Sequence, residues 1–281
     1  MPIKMMYITN NTKVAKIAEE NTVDRIWVDL EYMGKDIRQK NINSVKSNHT
    51  INDVTSIRDA LHKADLLVRV NPLHADSKNE ISSVIDRGAD IIMLPMYKTV
   101  EDAERFIDIV AGKVKTILLL ETIEAEECLE ETLKIGGVDE VHIGLNDLHL
   151  AYGMKFMFQL LSNGTVERLS ETIRKANIDY GFGGIARLEE GLLPAKNILG
   201  EHYRLGSKMA ILSRSFYDVW HENNYVEIER IFIEGMKEIR AYEKKLLSET
   251  DEFFDENKRI VKEKVDAIVE MLEKKEKTKN N

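Results

Sequence analysis

Five charged side chains in this chain stand where an apolar run stops. Asp29 and Glu31 follow Ile26-Trp27-Val28, and Arg69 follows Leu66-Leu67-Val68. Glu121 follows Leu118-Leu119-Leu120, and Asp147 closes the segment Val141-His142-Ile143-Gly144-Leu145-Asn146-Asp147. A charge at the end of a buried run is costly unless it meets a partner or a ligand. Glu121 and Asp147 are hard oxygen donors of the kind that hold Mg²⁺ or Mn²⁺. Such an ion takes one or two carboxylates and leaves positions for water and a chelating substrate. The competing reading is that each carboxylate caps the helix after it, which Thr122 before Glu124 and the turn after Asp147 both allow. Arg69 offers a planar fork to a carboxylate or an enolate oxygen; alternatively it forms a salt bridge with Asp29, Glu31 or Glu121. Together these residue types suit the cleavage of a carbon–carbon bond beside a carbonyl group. That reaction leaves an enolate, which a divalent cation and a guanidinium both stabilise. No lysine stands at the end of a run to form an imine, so the metal-dependent route is the expected one.

Eight short apolar or β-branched runs must position these groups, at 5–9, 25–31, 65–70, 91–96, 115–121, 140–146, 180–186 and 209–216. Most are continuously apolar, as parallel strands buried on both faces are. One-sided helical patterns lie between them, at 12–20, 79–87, 100–110 and 122–134. Strand and helix alternating through about 216 residues predicts a (β/α)₈ TIM barrel. The first strand-to-helix turn, Thr9-Asn10-Asn11-Thr12, contains no glycine, which disfavours an open dinucleotide-binding sheet. In a barrel the carboxyl ends of the strands form the active face, and the five charges fall there. The expected division is a barrel over residues 1–220 and a C-terminal helical extension over residues 221–281. The first helix of the extension closes the barrel. The second carries Phe253, Phe254, Ile260, Val261, Val265, Ile268, Val269 and Leu272 on one stripe. It packs on its own barrel or serves as an oligomerisation arm, and residues 274–281 read as a disordered end.

Composition excludes several classes. Lys and Arg total 40 against 49 Asp and Glu, a net charge of -9, so neither a nucleic acid nor an anionic membrane is an expected partner. No apolar run reaches the length of a membrane span. Residues 1–12 do not show the pattern of a secretory signal, and Cys128 is the single cysteine. A cytoplasmic, reducing location is therefore expected. Charge is uneven, with 29 of the last 62 residues charged against 60 of the first 219; this marks the extension as a region of different character. The glycines of Gly181-Phe182-Gly183-Gly184 suit a tight turn better than a phosphate loop. His142 and His149 read as structural, His202 as part of a helix surface, and Cys128 as a small buried apolar residue.

The segment Leu118-Leu119-Leu120-Glu121-Thr122, some twenty residues before His142-Ile143-Gly144-Leu145-Asn146-Asp147, resembles the HpcH/HpaI aldolase and citrate lyase β-subunit family. Val28-Asp29-Leu30-Glu31, Val68-Arg69-Val70-Asn71-Pro72 and Arg87-Gly88-Ala89-Asp90 match as well. The resemblance runs from about Asp24 to about Phe216. It implies a pyruvate-type TIM barrel that makes or breaks carbon–carbon bonds next to a carboxylate or thioester. It implies that Glu121 and Asp147 hold Mg²⁺ or Mn²⁺, that Arg69 contacts the substrate's oxo or enolate oxygen, and that backbone N–H groups around Asn146 and Asp147 bind its carboxylate. It also implies a homo-oligomer, trimer or hexamer, assembled through C-terminal helices. Tyr32 stands where the aldolases carry a histidine. The base is then Asp29, Glu31, Tyr32 or a water on the metal. Lys35 and Gln39 after the second strand resemble the acyl-CoA lyases.

The expected function is a metal-dependent lyase or aldolase acting on a small oxo or hydroxy acid, with Arg69, Asp29 and Glu31 as its catalytic groups. One alternative is an acyl-CoA lyase of the citryl- or malyl-CoA type. The other is a barrel without turnover that serves as a binding or assembly module.

Overall fold

The computed structural model describes residues 2–34, 48–213 and 224–279. Eight parallel strands close into a barrel in sequence order: β1 (Lys4–Ile8), β2 (Arg25–Asp29), β3 (Asp65–Arg69), β4 (Ile91–Leu94), β5 (Lys115–Leu120), β6 (Glu140–Ile143), β7 (Asp179–Ile185) and β8 (Met209–Leu212), with β8 pairing back onto β1. The TIM-barrel reading is correct, and every expected strand is present, most of them ending earlier than the apolar runs do.

Continuous apolar runs serve two cores at once. In β2, Trp27 joins Met6, Leu67, Met93, Leu119 and Met209 inside the barrel. Its neighbours Ile26 and Val28 face the layer beneath the helices. Alternate side chains of one strand point to opposite faces, so strands with no polar face are what a barrel ringed by helices requires.

The helices are α1 (Thr12–Glu20), α2 (Ile51–Ala60), α3 (Ser77–Asp86), α4 (Val100–Val110), α5 (Ile123–Glu127), α6 (Leu129–Thr132), α7 (Leu145–Ala151), α8 (Gln159–Ser162), α9 (Thr165–Lys175), α10 (Ala195–Leu205), α11 (Tyr225–Leu246) and α12 (Asp251–Lys279). The single helix expected over 122–134 is two, broken at Cys128, which is half-buried between them. At the amino ends of the strands a recurring device ties the sheet together. Asp24, Asp90 and Asp139, each just before an even-numbered strand, accept from the backbone N–H of Met5, Leu66 and Thr116 in the preceding strand, each at 2.8 Å.

The Gly181–Gly184 cluster lies inside β7, where the register to β8 shifts, and neither of its expected readings describes it. A Cβ at Gly181 would fall 2.2 Å from the Met209 carbonyl oxygen, and Gly183 has φ of +51°. These glycines permit a bulge and a close strand approach.

The extension packs on its own barrel. Tyr7 meets Phe232 of α11 edge to face at 5.0 Å, and Glu243 of α11 accepts from the Ile3 N–H at 2.7 Å. Along α12, Val261 and Val265 are buried. Asn257 of α12 bonds to the Asn197 carbonyl at 3.0 Å and to Glu201 at 2.9 Å. Gly200 makes room for this contact, since a Cβ there would lie 2.7 Å from the Asn257 amide nitrogen. The helix continues to Lys279, so most of the end expected to be disordered is helical, as the helix-favouring Lys and Glu residues of 273–277 allow. His202 is not on a surface. It is fully buried on α10, stacked 3.8 Å from Phe182 and 2.8 Å from the Ser207 hydroxyl.

Candidate active site

β2 and β3 pair in register, with Asp29 opposite Arg69. Their side chains meet above the apolar interior. Arg69 Nε and Nη2 donate to Asp29 Oδ1 and Oδ2, both at 2.9 Å, and Nη1 lies 3.2 Å from Glu31 Oε2. The guanidinium stands 5.2 Å over the Trp27 ring. Burial alone would lower its pKa, but Asp29, Glu31 and then Glu121 overcome this and raise it, so Arg69 is permanently charged. The salt-bridge reading of Arg69 is thus realised with Asp29 and Glu31 as its partners. It leaves a substrate role open, because the guanidinium remains partly exposed and two of its Nη protons have no partner among the described residues.

Asp29 is committed to orientation. Besides Arg69, its Oδ1 accepts from the Glu31 N–H at 3.2 Å, making a local turn after β2. Its own N–H donates to His49 Nδ1 at 2.9 Å. That donor lies beyond the end of β1, which stops at Ile8, so an imidazole from the start of α2 replaces the missing strand carbonyl.

Glu121 is 3% exposed at the end of β5. It is not a cap: Thr122 caps α5 through the Ala125 N–H at 3.1 Å. Glu121 Oε1 instead accepts from the Met96 N–H at 3.1 Å, which Met96 presents from a left-handed conformation with φ of 54°. Such a backbone is strained for a side chain of this size. On the other side Glu121 lies against Gly144: a Cβ there would fall 2.8 Å from its Cβ and 3.0 Å from Oε2.

Gly144 is the N-cap of α7, and Asn146 and Asp147 stand half-exposed in the first turn. Asp147 makes no capping bond, and its carboxylate has no hydrogen-bond partner among the described residues. The bare position at Gly144 thus brings the turn bearing Asp147 up to the Glu121 carboxylate. Two carboxylates, one buried and one half-exposed, fit a hard divalent ion that keeps water and substrate ligands. No group of three or more ligating side chains is assembled among the described residues.

His142, on β6 two residues below Gly144, is fully buried. Burial drives its pKa down to about 3; the nearby Gly183 backbone and Glu140 oppose this, while Arg25 and Arg69 add to it. Its ring nitrogens make no well-aligned hydrogen bond among the described residues. His142 is therefore a neutral structural ring. His149 bonds to the Leu145 carbonyl at 3.1 Å within α7 and is likewise structural. Lys35 and Gln39 lie outside the described residues.

Sequence reading missed His49, Met96 and the support beneath Asn71. His49 belongs to no periodic pattern. The Met96 conformation carries no signal beyond its place after Pro95.

The HpcH/HpaI aldolase/citrate lyase family model matches residues 4–180. No curated protein matches the chain. Among solved structures, an HpcH/HpaI aldolase from Desulfitobacterium hafniense DCB-2 is 16% identical with a TM-score of 0.59, over 75% of this chain and 86% of that one. An HpcH/HpaI aldolase/citrate lyase family protein from Burkholderia cenocepacia J2315 is 14% identical with a TM-score of 0.62, over 81% and 94%. The citrate synthase SbnG is 13% identical with a TM-score of 0.60, over 82% and 94%. At such identities these likenesses establish the shared barrel.

Proposed function

Because the chain belongs to the HpcH/HpaI aldolase/citrate lyase family, we propose that it is a divalent-metal-dependent carbon–carbon lyase or aldolase that acts on a small oxo or hydroxy acid through an enolate. The observation that carries this reading is Arg69, oriented by a bidentate carboxylate at the mouth of the barrel and holding Nη protons without a partner among the described residues. In this reading those protons meet the substrate's oxo oxygen and strengthen their hold as it becomes an enolate. Asp29 keeps the guanidinium planar to that oxygen. Proton transfer falls to Glu31, which meets Arg69 at Nη1. Glu121 and Asp147 would hold Mg²⁺ or Mn²⁺, which supplies Lewis acidity when bound. Following the family resemblance, the backbone around Asn146 and Asp147 takes the substrate carboxylate.

A cleft of about 450 Å³ beside the ends of β2 and β3 bears on the acyl-CoA alternative. It is lined by Tyr32, His49, Asn71, Asp76, Asn79 and Glu80 among others. Its described lining holds the Asp76 and Glu80 carboxylates, which offer no counter-charge to the phosphate groups of a CoA thioester.

The experiment is a melting-temperature titration with Mg²⁺ and Mn²⁺, with and without pyruvate or oxaloacetate, followed by an aldol-cleavage screen. Metal and oxo acid together should raise the melting temperature, and Asp147→Ala should remove the metal's share. A response to CoA thioesters alone would select the acyl-CoA lyase. No response and no turnover would leave the binding or assembly module. The homo-oligomer belongs to the same proposal, and light scattering on the full chain decides it.

A further inference from the structure

We infer that Asn71 is a positioning residue of this site: it sets the loop that carries Glu31, and Glu80 with His74 sets Asn71. The inference rests on the reading of Glu31 and Arg69 given above.

Asn71 is 4% exposed, two residues beyond Arg69. Its Oδ1 accepts from the backbone N–H groups of Tyr32 and Met33, both at 3.1 Å. Its Nδ2 donates to Glu80 Oε1 on α3 at 2.8 Å, and its backbone N–H reaches the same oxygen at 3.2 Å. Backbone N–H groups can only donate and an ionised carboxylate can only accept. One orientation of the Asn71 amide therefore satisfies all its partners, and the flipped one satisfies none. Glu80 is fixed in turn. Its Oε2 lies 3.0 Å from His74 Nε2, while His74 Nδ1 accepts from the Asp76 N–H at 3.2 Å. That bond places the proton of a neutral His74 on Nε2, where it donates to Glu80.

The chain of contacts leaves little freedom after β2. The Leu30 N–H goes to the Arg69 carbonyl at 2.9 Å, the Glu31 N–H to Asp29, and the next two to Asn71. Tyr32 itself is 71% exposed, so its side chain does little to hold the loop. Glu31 is thereby pinned from behind by one amide, in the geometry that brings its carboxylate to Arg69. A group held this way loses rate steeply when displaced by about an ångström.

The test uses the full chain with Mg²⁺ and compares wild type, Asn71→Leu and Glu80→Gln. Aldol-cleavage kcat and KM, melting temperature and amide hydrogen exchange over residues 30–34 are read for each. Asn71→Leu keeps the branched shape and removes the amide's bonds to Tyr32, Met33 and Glu80, leaving only the backbone N–H on Glu80. It should lower kcat by about 10- to 100-fold with KM within about threefold, and speed exchange at Tyr32 and Met33. Glu80→Gln keeps an acceptor for Asn71 but sets an amide NH₂ against His74 Nε2–H, and should give the same pattern more weakly. It also serves if Asn71→Leu does not fold. A residue with only a structural role would lower the melting temperature and leave kcat per folded molecule unchanged. That result, or unchanged exchange at Tyr32 and Met33, overturns the inference. If wild type neither binds nor cleaves any oxo acid, the proposed function falls, and the exchange data alone then decide whether Asn71 holds the loop.

Discussion

Among the described residues an arginine–carboxylate pair stands at each end of the barrel interior. At the amino end Arg25 is fully buried, with Nη1 at 2.5 Å and Nη2 at 2.7 Å from the two oxygens of Glu140, and Lys4 stands 3.4 Å away. At the carboxyl end Arg69 grips Asp29 through Nε and Nη2, meets Glu31 at 3.2 Å as Arg25 meets Asp65 at 3.7 Å, and stays partly exposed. The chemistry of the two pairs is nearly identical, and their consequences differ. Arg25 has no exposed side-chain surface, and the Glu140 and Asp65 carboxylates neutralise it. Arg69 lies where the strands open into loops, partly exposed and with Nη protons that have no partner among the described residues. An ion pair of this kind does not by itself indicate a function; its position along the strand and its remaining hydrogen-bonding capacity do.

Substitution can break the comparison. Arg69→Lys keeps the charge but loses the fork, and is expected to lower kcat/KM by about a hundredfold or more with a small change in melting temperature. Steady-state cleavage assays check this, and wild-type activity would remove Arg69 from the mechanism. Arg25→Met should do the reverse. It leaves Glu140 buried and largely uncompensated, which costs about 3–5 kcal/mol of stability by denaturant unfolding, while molecules that remain folded keep their kcat. Adding Glu140→Leu should recover much of that loss.

Acid sharpens the comparison in the zone between the two pairs. His142 lies within the fields of both Arg25 and Arg69, and His202 lies close to His142; burial holds each near pKa 3 against an ordinary 6.5. The unfolded chain thus binds protons that the folded chain refuses. The stability these neutral rings contribute is complete above pH 6.5 and is lost progressively as pH falls towards 3, by up to about 1.4 kcal/mol per pH unit for each ring. Melting temperatures between pH 7.5 and 5 should therefore fall below pH 6.5, and His202→Gln should flatten the slope. A level profile in the wild type would show that neither ring stays neutral.

The smallest expected effect concerns the mouth alone. Gly144→Ala drives a methyl group against Glu121. It should weaken Mg²⁺ binding by about tenfold, in line with disturbed support of metal ligands, as read by calorimetry. Unchanged affinity would separate Glu121 from the cation.

Much of this site was legible from residue order. Asp29, Glu31, Arg69 and Glu121 close apolar runs, and strand ends are where a barrel places its chemistry. The elements least legible are those that depend on an exact partner far along the chain. His49 substitutes for a strand carbonyl only because β1 stops one residue short of it. Met96 holds φ of 54° where its N–H meets Glu121, a partner 25 residues on. His202 looked like a surface residue because a polar helix sequence does not reveal that β7 lies beneath it. The glycines of β7 looked like a turn because a bulge needs the same conformational freedom.

Hydrophobic periodicity and the charges that interrupt it were enough to determine eight strands, their parallel pairing and which side chains stand at the mouth, since both are local properties repeated along the chain. Tertiary structure alone decided which carboxylate clamps Arg69, that Glu121 leans on Gly144 instead of capping a helix, and that α12 lies on its own barrel. Each of these is set by hydrogen-bond directions and contact distances of about 3 Å between residues far apart in sequence. One-dimensional order carries no information on such distances until the barrel has closed.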